Sequence, residues 1–304
     1  MRNVHIKWNL CVAIIIGYFG LFGILYTSQE VAYGQYQSVI TPSIYTCYIW
    51  ILIFATEGIF SLMQLLHPKY RGNNSNGIGI MFFYCNIAQS LLIITYSFQY
   101  FFLSFILNVY LLVFLNSIFI EQSSSSSQPS SSTSQRSILL DWFVLELPFQ
   151  LKYAWVLYCT FCIVFMQSLV AHSESFTTQL TSSILCFVML TSVAISFLIP
   201  YSIFGITSSN ILSNKPNYII PLVIVWSFVS IFMICLHLNS YFSISLHAQI
   251  GTYVELQNPK DSIQTLFGDD IILSIKYSTV GCCAIIISFG ILRVLLVCWI
   301  RRSS

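Results

Sequence analysis

The sequence predicts an all-α protein, a polytopic transmembrane helix bundle of about eight helices. Of its 304 residues, 57% are hydrophobic and only 7% are charged, and the mean hydropathy is +0.80. Soluble domains, in contrast, carry about 25% charged residues. The chain also contains eight apolar stretches of about 18–25 residues, the length at which a helix crosses a ~30 Å hydrocarbon core. In chain order they are Trp8–Tyr26, Ser43–Leu66, Gly77–Phe98, Phe101–Ile120, Phe149–Ala171, Leu180–Phe204, Tyr218–Asn239 and Ser278–Ile300.

The distribution of basic residues supports this helix count and predicts an orientation. When the gaps between the stretches are assigned alternately to the two sides of the membrane, only Lys260 and Lys276 fall on one side. The other side receives Arg2, Lys7, Lys69, Arg71, Arg136, Lys152, Lys215, Arg293, Arg301 and Arg302. Because short loops rich in Lys and Arg stay cytoplasmic, we expect an integral membrane protein with both termini in the cytoplasm. The lipid bilayer is then its main partner, while the identity of that membrane and a homodimer both stay open.

Prolines and composition divide the chain into segments. Pro42 and Pro148 begin the second and fifth helices, where a missing N–H costs nothing. Between residues 122 and 137 most residues are Ser, too polar to offset the entropy of ordering, so we expect disorder there. Phosphorylation of Ser123–Ser137 stays open. The predicted segments are 1–37 (N-terminal tail and first helix), 38–120 (helices two to four), 121–147 (Ser-rich disordered cytoplasmic loop), 148–239 (helices five to seven), 240–277 (non-cytoplasmic loop) and 278–304 (last helix and basic tail).

Several classes of function are excluded by what the sequence lacks. There is no GxSxG, HExxH or phosphate-binding loop motif, and the five His are scattered, so we expect no enzyme and no catalytic residue. Cys159 and Cys162 have the spacing of a zinc or redox pair, but no second pair lies nearby. Asp269 and Asp270 lack flanking calcium ligands and are interpreted as a solvated turn. We therefore expect no metal site and no cofactor and, without a basic patch, no nucleic-acid partner.

One acidic residue, Glu57, lies deep in a predicted membrane helix. An ionisable group at bilayer depth is costly and usually faces a cavity or a partner. Glu57 is therefore either part of a ligand or proton site, or a carboxyl group that bonds to a neighbouring helix. The candidate partners are Gln64, Asn86 and Gln89, and the sequence does not choose among them.

Three segments in order resemble the tryptophan-rich sensory protein and translocator protein (TspO/MBR) family. Residues 40–50, ITPSIYTCYIW, are followed by Gln64 and are similar to the family pattern TPAGYxFxIWGLIY…Q. Residues 147–155, LPFQLKYAW, are similar to LPFSLYLGW, and residues 223–226, VIVW, to LVxxWA. The sequence departs from the family pattern at Gln89, Ala154 and Ile163, which stand where the family has Trp, Gly and Asn. The resemblance covers roughly residues 38–240.

The resemblance implies a TspO-like core that binds a hydrophobic or aromatic small molecule, tetrapyrrole- or sterol-like, for sensing or transport. The residues themselves are compatible with such a pocket, because aromatic faces and a few polar groups suit it. The ligand-binding candidates are Trp50, Glu57, Asn86, Gln89, Phe149, Trp155 and Trp226. The alternative interpretation is that these aromatic residues are bundle packing and interface anchors. The alternative functions are a secondary transporter of a small solute and a non-catalytic structural subunit of a membrane complex.

Overall fold

The computed structural model is helical throughout the part of the chain that it describes, residues 48–66, 75–125, 140–171, 175–198, 217–235 and 269–303. Only short turns interrupt the helices there, and none of these residues forms a strand, so the all-α prediction is confirmed. The helices are α1 (Ile49–Leu66), α2 (Ser75–Ser97), α3 (Phe101–Ser125), α4 (Leu147–Tyr158), α5 (Met166–Ala171), α6 (Phe176–Leu198), α7 (Ile219–Cys235) and α8 (Asp269–Ser303).

The helices α4 and α5 belong to one continuous helical run that crosses the middle of the bundle. A π-helical turn, Trp142–Glu146, precedes α4, and a π-helical segment, Cys159–Phe165, joins α4 to α5. Pro148 is the second residue of α4 and directly follows the π-helical turn, so its missing backbone N–H falls inside the continuous run and not at its start. The run packs against α1, α3 and α7, and ten of the twelve residues of α4 are buried. It therefore forms the centre of the described bundle.

The helices α2 and α3 form an antiparallel hairpin with a tight turn at residues 98–100. Gln99 adopts a left-handed backbone conformation with φ of 62° in this turn. Thr95 and Ser104 share a hydrogen bond of 3.0 Å between their hydroxyl groups, just inside the turn. Further along the hairpin, Tyr84 stacks on Phe114. These contacts set the register of α2 against α3.

Seven of the eight predicted membrane stretches overlap helices in their described residues, and the first, Trp8–Tyr26, lies outside the described residues. Within the described residues, three helices are long and apolar enough to cross a membrane, and three shorter helices are also apolar. The long spans are Phe101–Phe119 in α3, Thr177–Leu198 in α6 and Leu273–Leu295 in α8, and the shorter ones are Ile49–Gln64 in α1, Met81–Tyr96 in α2 and Ile219–Met233 in α7.

Two predicted loops are partly helical. The helix α8 begins at Asp269, nine residues before the predicted start, so the interpretation of Asp269 and Asp270 as a solvated turn is wrong. Ile275 lies in this extension and is fully buried in the core, so burial of its apolar side chain favours the longer helix. The segment predicted as a Ser-rich loop is helical at both ends, since α3 reaches Ser125 and helical backbone resumes at Leu140. Residues 126–139 lie outside the described part.

Candidate functional site

A buried ion pair joins α1 to α4. The Lys152 ammonium Nζ donates a hydrogen bond to Glu57 Oε1 at 2.7 Å and another to Asn86 Oδ1, on α2, at 3.3 Å. The exposed fractions of the Lys152 and Glu57 side chains are 0% and 2%. Three helices thus meet at one polar layer, in which each charge has its counter-ion and the cation also has an amide oxygen.

The helical repeat places these side chains inward. On α1, Ile53, Glu57 and Phe60 are buried, while Leu52 and Ile59 are exposed. Residues three or four apart lie on one face of an α-helix, so one stripe of α1 faces the bundle and carries the carboxylate with it. On α4, which is buried on nearly all sides, the same spacing places Phe149, Lys152 and Trp155 on the face that contacts α1.

An aromatic layer closes one side of the ion pair. The rings of Phe60, Phe82 and Phe149 meet edge to face, with centroids 5.0–5.7 Å apart. Lys152 Nζ lies 5.8 Å from the centroid of the Phe82 ring, within the range of a cation–π contact. The three rings are fully buried and shield the charges on this side of the layer.

The opposite side of the polar layer carries Gln89 and Trp155. The contacts Phe82–Phe149 and Asn86–Lys152 show that α2 and α4 run in the same direction here. Gln89 is three residues beyond Asn86, and Trp155 is three residues beyond Lys152, so both lie about 4.5 Å further along the bundle. Trp155 also meets the Trp50 ring edge-on at 6.2 Å between centroids.

Several buried polar atoms at this level have no hydrogen-bond partner. Within the described part of the chain these are Asn86 Nδ2, both amide atoms of Gln89 and Trp155 Nε1. Asn86, Gln89 and Trp155 are at most 1% exposed. A buried polar group without a partner costs about 1–3 kcal/mol, so such groups call for an explanation. On α3, both amide atoms of Asn108 are also buried without a hydrogen-bond partner in the described part of the chain. The register of the α2–α3 hairpin places Asn108 about level with Leu91.

Six of the seven candidate ligand-binding residues lie along the seam of α1, α2 and α4: Trp50, Glu57, Asn86, Gln89, Phe149 and Trp155. The seventh, Trp226, is 48% exposed on α7 and is not brought to this seam. The buried face of α7 is formed by Ile224, Ser227 and Phe228, and helical geometry directs Trp226 elsewhere.

Sequence reasoning missed the counter-ion of Glu57. The expected partner was an amide, whereas the structure pairs Glu57 with Lys152, which was counted among the cytoplasmic charges. That assignment is wrong because Lys152 is fully buried in the bundle. Its spacing of three from both Phe149 and Trp155 was the available signal. The remaining nine basic residues keep the same asymmetry, so the expected orientation does not depend on Lys152.

Cysteine and acidic side chains form no second site in the described residues. Cys159 and Cys162 are free thiols on the π-helical segment. No group of three or more His, Cys, Asp or Glu that could hold a metal ion occurs in the part of the chain that the structure describes.

A sequence model of the family described as TSPO-like protein matches residues 7–255. The chain belongs to the TSPO-like protein family. The match is broader than the segment 38–240 that carries the resemblance, and it includes the first predicted helix but ends before α8. Together with the apolar helices, it identifies an integral membrane protein of this family. None of the curated proteins and none of the solved structures matches the chain significantly.

Proposed function

We propose that this TSPO-like protein binds a hydrophobic or aromatic small molecule, tetrapyrrole- or sterol-like, at the seam of α1, α2 and α4, for sensing or transport. One observation carries the proposal: among the described residues, buried polar atoms without hydrogen-bond partners occur at the same level of the bundle as buried aromatic faces. Gln89 and Trp155 supply the polar atoms, and Trp50 and Trp155 supply the faces. Ligand pockets characteristically combine an apolar lining with a few convergent polar groups.

Binding at this seam requires the contact between Trp50 and Trp155 to open, because both rings are buried. The two indoles meet at an interplanar angle of 88°. A flat ligand between them would replace this single edge contact with stacking on one or both faces. It would also bring acceptor atoms within reach of Trp155 Nε1. The role that we propose is non-catalytic.

A titration with a porphyrin tests the proposal. The full-length protein in detergent is titrated while its tryptophan fluorescence is recorded, and the dissociation constant is compared between variants. We expect saturable quenching at roughly micromolar porphyrin or below and about tenfold weaker binding for Trp155→Leu, because a stacking face and a donor are lost. Trp226→Leu is the matched control, since it removes an indole from an exposed position and should leave the constant unchanged.

Linear, unsaturable quenching that is equal in all three proteins would rule out tetrapyrroles at this seam. Equal weakening by Trp155→Leu and Trp226→Leu would also contradict the proposal, because it would place the ligand on the outer surface.

The buried ion pair favours a second candidate function, secondary transport of a small solute. Ionisable residues inside membrane helices commonly mark solute or proton pathways. The Glu57–Lys152 pair is almost completely buried, and Glu57 belongs to a helix that also carries a face of the proposed site. A flux assay in vesicles can separate transport from binding alone. We also propose that both termini lie in the cytoplasm.

A further inference from the structure

We propose that this site selects uncharged ligands whose polar groups are mainly hydrogen-bond acceptors, such as carbonyl oxygens, over carboxylates and amines. This inference rests on the proposed function and names the chemical class of its ligand. It depends on the Glu57–Lys152–Asn86 layer, in which Lys152 stands where the family pattern LPFSLYLGW has Tyr. The selection is therefore a property of this chain's own residues.

The ion pair has no net charge, and this disfavours charged ligands. Glu57 and Lys152 sum to zero, and they are the only charged residues among the fully buried ones that the structure describes. A ligand with a net charge would enter a low-dielectric region where both existing charges already have counter-ions. An unpaired buried charge is strongly unfavourable. An uncharged ligand leaves the pair intact.

The unpartnered polar atoms at the site are mostly hydrogen-bond donors, and this favours ligands with acceptors. Lys152 can only donate, so its bond to Asn86 Oδ1 assigns the free atom of Asn86 as the donor Nδ2. Trp155 Nε1 can only donate as well, and the Gln89 amide offers one donor and one acceptor. Donor atoms therefore outnumber acceptor atoms three to one among the unpartnered atoms of these residues. A ligand that offers acceptors complements this set.

The donors are also spread along the bundle rather than gathered at one point. Asn86 Nδ2 belongs to the polar layer, while Gln89 and Trp155 are about 4.5 Å further along, one step of three residues. A ligand with two acceptors separated by a few ångströms, attached to a flat apolar framework, would satisfy both levels at once.

The test compares a dicarboxylic porphyrin with its uncharged diester. Mesoporphyrin IX and its dimethyl ester are titrated at neutral pH against the full-length protein in lipid nanodiscs. Four proteins are compared: wild type, Glu57→Gln, Lys152→Met and the double variant Glu57→Gln/Lys152→Met. Protein-free nanodiscs correct for partition into lipid, and this partition is the same for all four. Circular dichroism establishes that each variant is folded.

We expect the wild-type protein to bind the diester at least about tenfold more tightly than the diacid. Glu57→Gln leaves the Lys152 charge uncompensated and should shift the preference about tenfold toward the diacid. Lys152→Met should shift it the other way, and the double variant, which is again neutral, should return to the wild-type ratio.

The charge selection would be overturned if both porphyrins bound saturably and the diacid bound as tightly as the diester or more tightly. It would also be overturned if the ratio of the two dissociation constants were the same in all four proteins. Either result would leave the proposed function standing. Saturable binding of neither porphyrin to the wild type would overturn the proposed function itself. If one single variant does not fold, the other single variant decides the outcome, because it must shift the ratio away from that of the wild type and the double variant, in the direction set by its remaining charge.

Discussion

Removal of one member of the Glu57–Lys152 pair should destabilise the protein far more than removal of both. At an effective dielectric constant of about 20, two unit charges at the observed separation of 2.7 Å attract each other by about 6 kcal/mol. Glu57→Gln loses this attraction but keeps an amide oxygen as acceptor for Lys152, which returns about 1–3 kcal/mol. The expected loss is about 3–5 kcal/mol, the range found when one partner of a buried pair is removed.

The double variant Glu57→Gln/Lys152→Met removes both charges and leaves no buried ion without a counter-ion. Replacement of a buried pair by uncharged residues is often close to neutral, so the double variant should lose less than about 2 kcal/mol. Lys152→Met alone should lose at least as much as Glu57→Gln alone, because Met offers Glu57 no hydrogen-bond donor. The coupling energy between the two sites is then several kcal/mol, well above what independent sites show.

Unfolding by sodium dodecyl sulfate in mixed micelles, followed by circular dichroism, measures these free energies. Glu121→Gln is the matched control because it changes a carboxylate into the same amide at an exposed position near the end of α3, and it should shift the free energy by less than about 0.5 kcal/mol. If the losses of the two single variants simply add in the double variant, the charges do not depend on each other and our account of the layer is wrong. Losses below about 1 kcal/mol in both single variants would likewise refute it.

Two further predictions concern transport and orientation. If the chain moves a solute, substrate-dependent flux into vesicles should be abolished by Glu57→Gln and retained by Glu121→Gln; equal flux in both would exclude Glu57 from the pathway. The sequon Asn73-Asn74-Ser75 falls between the second and third predicted membrane stretches, on the side that we expect to be cytoplasmic, so Asn73→Gln should leave the electrophoretic mobility of the protein from glycosylating cells unchanged. A loss of mass on that substitution, or on glycosidase treatment, would show that the orientation is opposite to the one that we expect.

Much of the site was within reach of the sequence. The resemblance drew attention to Trp50 and Trp155, Asn86 was a candidate partner of Glu57, and the structure places all three along one seam. Glu57 was identified as costly because it lies deep in an apolar stretch. Its partner was not found, because Lys152 stands only three residues inside the predicted start of a helix, where a lysine can equally reach the membrane surface. The exposure of Trp226 was equally beyond sequence reasoning, since every position of α7 except two serines and Pro221 is apolar and no polar face marks the outside.

The sequence by itself determined that the chain is a helical membrane protein of the TSPO-like family, because hydropathy over about 20 residues and a set of short motifs are local properties. It also placed one carboxyl group, that of Glu57, deep in an apolar stretch, where it either belongs to a ligand or proton site or bonds to a neighbouring helix. Only the tertiary structure decided which groups meet: Glu57 with Lys152 from a helix 95 positions away in the chain, and Asn86 with the same ammonium from 66 positions away. In an apolar helix all faces look alike in sequence, and packing against neighbours selects the one that is buried.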